Sequence, residues 1–146
     1  MISLKELFFS LVILTFSYTI SAKELSVINI DTIDNFKHLA NEAWLLEDKD
    51  SEYTFKEILT NISGIEGAYQ PKSEIPYLDF TSSTYWMKLK VKNESSEKKN
   101  YYLELARPLT NLVNLYVFDE NNQLTNIYYG GDDILFENRP YLHRKF

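Results

Sequence analysis

The chain predicts an all-β fold, a sandwich or barrel carrying one short helix. From residue 85 onward, short stretches alternate apolar and polar side chains with the period of two that a half-buried strand requires. Polar turns recur between these stretches, at 94–99, 119–122 and 130–132, in the spacing of a β-meander. One segment, residues 55–62, carries a full set of helix signals instead.

Residues 24–30, with Leu25, Val27 and the run Ile28-Asn29-Ile30, read as a first strand. Residues 31–40 fit either a helical face, through Ile33, Phe36, Leu39 and Ala40, or an extended crossing. Trp44-Leu45-Leu46 is a short apolar piece ending in the acidic turn Glu47-Asp48-Lys49-Asp50. The helix follows: Thr54 with Glu57 makes a capping box, and Tyr53 before the cap can staple onto Ile58. Phe55, Ile58, Leu59 and Ile62 share one face, and Gly64 is placed to end the helix in a left-handed conformation. Pro71 and Pro76 punctuate an irregular loop over 67–76.

Residues 85–93 form the next strand, with Tyr85, Met87, Leu89 and Val91 on one face and Trp86, Lys88, Lys90 and Lys92 on the other. The first face reads as core and the second as wet. After the 94–99 turn, residues 100–106 alternate again until Arg107-Pro108 ends the strand. Residues 112–118 and 124–129 make a hairpin around Asp119-Glu120-Asn121-Asn122, and Gly130-Gly131-Asp132 breaks the pattern. Residues 141–146 begin another strand, at which the sequence given stops, so the sandwich reads as lacking C-terminal strands, in a fragment of a longer protein or a truncated gene.

Residues 1–22 read as a secretory signal peptide: Lys5, an apolar run over 7–14, then small and polar residues up to Ala22. The apolar run is short of the roughly 20 residues a spanning helix needs. Lys5 and Glu6 cancel, so residues 23–146, the size of one domain, keep the net charge of −6. That acidic balance argues against nucleic-acid partners and against a polybasic membrane patch. The chain has no cysteine, which excludes disulfides, thiolate metal sites and a lipoprotein anchor.

Signs of enzymatic chemistry are missing. There is no nucleophile elbow, phosphate loop or dinucleotide fingerprint, and no cofactor or metal is implied. His38 and His143 lie far apart without ligand spacing and read as surface residues. Asp119-x-Asn121-x-Gln123 imitates the start of a calcium loop but lacks its glycine and its distal glutamate, so it reads as a hairpin turn. Asn61-Ile62-Ser63 and Asn93-Glu94-Ser95 fit the glycosylation pattern, which matters only in a eukaryotic secretory route. Aromatics are the richer signal, with eleven tyrosines, nine phenylalanines and two tryptophans. Such rings stack on apolar faces of ligands, sugars included, and fit strand cores equally well. Trp44 reads as core, whereas Trp86 shares its face with three lysines and reads as a candidate contact.

Several stretches together resemble a known family. They are Trp44-Leu45-Leu46-Glu47-Asp48, Thr54-Phe55-Lys56-Glu57-Ile58-Leu59 and, most specifically, Phe80-Thr81-Ser82-Ser83-Thr84-Tyr85-Trp86-Met87-Lys88-Leu89. Tyr102-Leu103-Glu104-Leu105-Ala106-Arg107-Pro108-Leu109, Leu115-Tyr116-Val117, Gly130-Gly131-Asp132, Arg139-Pro140 and His143-Arg144-Lys145-Phe146 follow in order. The chain thereby resembles the second extracellular domain type of bacterial seven-transmembrane receptors with diverse intracellular signalling modules. The resemblance covers essentially all of residues 23–146.

That resemblance implies a periplasmic sensor domain with a jelly-roll fold similar to carbohydrate-binding modules. Its ligand would be a carbohydrate or another small molecule, and its partners in the full-length protein a seven-helix membrane domain and a cytoplasmic signalling module. In that setting the candidate ligand contacts are Trp86 for stacking, Tyr116 for stacking plus a hydroxyl, and Arg107, Arg139 and Arg144 for their planar forks. Arg107 and Arg139 also sit at strand ends, where each could pair with a turn acid such as Asp79 or Asp132. The rival readings are a stand-alone secreted carbohydrate-binding or adhesive module, and a secreted hydrolase.

Overall fold

The computed structural model describes residues 24–107 and 109–139. Its strands are β1 (Val27–Asn29), β2 (Trp44–Asp48), β3 (Thr84–Lys88), β4 (Lys90–Lys92), β5 (Val113–Phe118) and β6 (Leu124–Gly130), with one α-helix, α1 (Phe55–Asn61). Short 3-10 turns at Ile30–Thr32, Ala40–Glu42, Ile62–Gly64 and Phe136–Asn138 complete the described elements. The fold is mainly β. The expected strand over 141–146 lies outside the described residues.

The strands form three two-stranded sheets: β1 parallel with β4, and the antiparallel pairs β2–β3 and β5–β6. One extended stretch serves two of them. Its first half pairs with β2, and beyond Leu89 its second half pairs with β1. This pairing corrects one expectation. Residues 100–106 form no ladder, and Tyr102 and Leu103 are exposed. Alternation fixes which side chains share a face but not which strand becomes the partner, and β4 has taken β1 in place of the following segment.

The start of α1 follows its local signals. Thr54 is the N-cap, and the reciprocal bonds with Glu57 are both present. Tyr53 packs against the cluster that holds Ile58. The helix end differs from expectation: the chain tightens into the Ile62–Gly64 3-10 turn, and the left-handed glycine is Gly67, at φ 85°. The ammonium of Lys88 reaches the helix from the sheet beneath and donates to the Leu59 carbonyl, satisfying one of the carbonyls that a helix C-terminus leaves open. Burial pushes the Lys88 amine below its ordinary pKa, and repulsion from Lys90 adds to this.

The core sits between α1 and one face of β2–β3. Trp44, Leu46, Ile58 and Ile62 are its buried members, with Leu25, Tyr53, Ile65, Ala68 and Trp86 packed around them. The register places Lys88 opposite Trp44, Trp86 opposite Leu46 and Thr84 opposite Asp48. Directly opposed residues share a face, so the covered face carries Trp86 and Lys88. The sequence pattern assigns that face to solvent, which holds for Lys90 and Lys92, both exposed, but not for Trp86 and Lys88. Met87 lies on the other face and is 42% exposed.

Candidate functional site

Two of the aromatic residues singled out by the sequence come together at one seam. Tyr116, inside β5, stands 6.4 Å from the Trp86 ring with the planes tilted by 30°. Phe55, the first residue of α1, stacks on Tyr116 at 5.0 Å with the planes 21° apart, and Phe118 lies 6.0 Å from Phe55. The geometry follows from period two: Tyr116 and Phe118 project from the same face of β5. That face closes on α1 and β3. The seam thus joins the β5–β6 hairpin to the helix-covered face of β2–β3, and no ladder links these sheets among the described residues.

Asp48 fixes the Trp86 side of the seam. Its carboxylate accepts from the Trp86 indole N–H at 3.1 Å and from the backbone N–H groups of Glu52 at 3.0 Å and Tyr53 at 3.1 Å. Burial alone pushes this carboxyl up, but the donors, Trp86 first and then the Glu52, Tyr53 and Ser51 backbone, outweigh it and hold the pKa below the ordinary aspartate value. The stabilisation is therefore fully present above the unfolded-state pKa, about 3.9, and lost as pH falls through the lower folded value. Acid unfolding followed by circular dichroism should show a stability loss as pH falls below about 4 that shrinks in Asp48→Asn. An identical acid profile in that variant would remove Asp48 from the account.

Tyr116 is half-buried, and its hydroxyl makes no hydrogen bond among the described residues. The ring thus offers an edge and a hydroxyl in one place, the combination that suits a partly apolar, hydroxylated ligand.

Two of the three candidate arginines make contacts away from the seam. Arg107 donates through Nη2 to the Asp79 backbone carbonyl at 2.8 Å, pinning the 76–82 loop. Arg139 donates through Nε to the Ile134 carbonyl at 3.2 Å, stands 3.9 Å from the Asp132 carboxylate and lies over the Phe136 ring at 5.7 Å. Both match the turn-pairing alternative, with Asp79 contributing its carbonyl in place of its carboxylate. Arg144 lies outside the described residues. Trp44 is buried at 8% exposure and belongs to the core, as expected. Asp119 directs Oδ1 at the backbone N–H groups of Asn121 and Gln123, at 2.9 and 2.8 Å, so it builds the hairpin turn.

Sequence reasoning did not single out Phe55, Phe118 or Asp48 as seam residues. Phe55 was legible as a helix-face residue and Phe118 as a strand residue, but their meeting depends on how the hairpin docks. Asp48 sits in an acidic run that reads as a solvated turn. Among the described residues, no helix is long and apolar enough to cross a membrane.

Comparison with known proteins gives one family. The model described as 7TMR-DISM extracellular 2 matches residues 40–146. No curated protein and no solved structure matches the chain. The match takes in β2 through β6, α1 and every seam residue named above. Its description is that of an extracellular sensor domain of receptors and not of an enzyme family. With most of its length matched, the chain belongs to the 7TMR-DISM extracellular 2 family.

Proposed function

We propose that this chain is the ligand-sensing domain of a bacterial seven-transmembrane signalling receptor, exported by residues 1–22 and working in the periplasm as a jelly-roll domain over residues 23–146. Its family membership over residues 40–146 carries the reading. The ligand is a carbohydrate or another small polar molecule, bound at the aromatic seam. Trp86 supplies a ring face, and Tyr116 supplies a ring edge and a hydroxyl. Support for the seam comes from the meeting of Trp86 and Tyr116 and from the hydroxyl left without a partner among the described residues. Ligand entering there would favour one setting of the hairpin against the helix-covered sheet, and such a preference is what a ligand needs to bias a receptor.

The test is calorimetric titration of the purified chain with glucose, galactose, N-acetylglucosamine and maltotriose. Tyr116→Phe, which keeps the ring, should weaken binding about tenfold for one lost hydrogen bond, with unchanged melting. Binding that survives Tyr116→Phe and Trp86→Ala at full strength would place the ligand elsewhere. The receptor reading is tested separately, by fractionating cells that carry the native gene. An antibody to this domain should find it in the inner membrane, and a wholly periplasmic or secreted product would favour a stand-alone binding module.

A further inference from the structure

We infer that Asp48 is the positioning residue of the seam: its carboxylate holds the Trp86 indole and the chain entering α1 as one unit. Its function rests on the seam being the ligand site; its geometry stands without that reading. Asp48 is 3% exposed and is the last residue of β2, where it faces Thr84 across the ladder. Trp86 is its diagonal neighbour on the same face, which brings the indole N–H within 3.1 Å of Oδ2.

Two of the backbone donors to Asp48 belong to Glu52 and Tyr53, immediately before the Thr54 cap. The intervening turn is held back onto β3 as well, through the 2.8 Å contact between the Ser51 and Thr84 hydroxyls. Ser51 adopts φ 53°, a left-handed conformation that costs a non-glycine residue energy and needs such fastening. Phe55, the first helical residue, then stacks on Tyr116, which faces Trp86. The contacts close a circuit: Trp86 to Asp48, Asp48 to the helix entry, Phe55 to Tyr116, and Tyr116 back to Trp86.

A buried carboxylate cannot give up a donor without cost. The Trp86 ring therefore cannot turn to meet a ligand while the helix entry stays as it was, and occupancy of the seam is felt at Glu52 and Tyr53. The alternative is that Asp48 only closes a turn, with Trp86 an incidental neighbour.

Amide hydrogen exchange on the ¹⁵N-labelled full chain, without any ligand, separates these. In Asp48→Asn the Trp86 indole hydrogen should exchange at least tenfold faster, relative to amides of the β5–β6 ladder. In Trp86→Phe, which removes the indole N–H but keeps an aromatic ring, the Glu52 and Tyr53 amides should exchange at least threefold faster on the same scale. Unchanged exchange at Glu52 and Tyr53 in Trp86→Phe overturns the inference. It decides alone if Asp48→Asn does not fold. An unchanged indole in a folded Asp48→Asn overturns it equally. Failure of every saccharide titration would retire the ligand reading and leave this result standing, so the two can fail independently.

Discussion

Leu46→Ala is expected to cost about 3 kcal/mol, the middle of the range for emptying a buried leucine site. Leu46 is 1% exposed, stands opposite Trp86 in the ladder, and packs with Trp44, Ile58 and Ile62 beneath the helix. Those neighbours come from β2, from α1 and from the turn after it, so the hole cannot close by moving one side chain. Met87→Ala one position away from Trp86 is the paired control. Met87 is 42% exposed on the opposite face, and its truncation should cost under about 1 kcal/mol. Urea unfolding of the two variants measures the difference. Similar losses would mean that the helix does not cover the Trp86 face. Since a domain's net stability is only about 5–15 kcal/mol, Leu46→Ala is expected to leave a chain that melts far below the parent.

The contrast between Leu46 and Met87 also marks where the sequence stopped being legible. Period two separates the side chains of residues 84–88 into two sets, and the β2–β3 register keeps that separation. It does not say which set an external element will cover. Trp86 with three lysines reads as wet, yet Lys88 lies on the covered face and its ammonium reaches the Leu59 carbonyl; a long cationic side chain can keep its charged end satisfied in such a place. The signals that were read correctly are local ones. The Thr54–Glu57 box and the Asp119 turn involve residues within four positions of each other, and both form as expected.

What depended on distant segments was not legible. The parallel pairing of β1 with β4 joins residues about sixty positions apart, and it displaced the expected pairing of residues 100–106. The candidate site divides along the same line. Trp86 and Tyr116 were each recognisable as aromatics on strands, but Phe55 reaches them from the helix and Asp48 fixes Trp86 from the end of β2. Nothing in the acidic run Glu47-Asp48-Lys49-Asp50 marks one carboxylate as buried, because the groups that close on it, the Trp86 indole and the Glu52 and Tyr53 backbone, are brought there by the fold. Arg107 and Arg139 show the complementary case. Their places beside Pro108 and Pro140 allowed a structural role to be weighed in advance, and both hold a turn or loop.

Gly131→Ala should be comparably damaging, for a backbone reason. Gly131 is buried at φ 109°, a conformation that side chains with a Cβ rarely adopt. A methyl group there would collide with the Asn111 backbone carbonyl and come within 2.8 Å of the Leu112 Cα. Backbone atoms cannot swing aside as a side chain can. The clash lies where the chain leaving β6 is tied to the segment before β5, through Asp132 N–H to the Thr110 carbonyl at 2.9 Å and Asp133 N–H to the Asn111 carbonyl at 3.0 Å. Relieving it means giving up one or both bonds as well as bearing the strain, in all roughly 3–4 kcal/mol.

Gly67 supplies the comparison, because it also has a positive φ, 85°, but its added Cβ would meet only the Leu46 side chain at 4.0 Å. Gly67→Ala should therefore cost about 1–2 kcal/mol, the conformational penalty without the collision. Urea midpoints of the two variants separate the terms. If both lose the same amount, the close approach at Asn111 contributes nothing. A larger loss at Gly131 assigns the excess to the contact that holds the β5–β6 hairpin to its flanking segments, and so to the frame on which Tyr116 is presented to the seam.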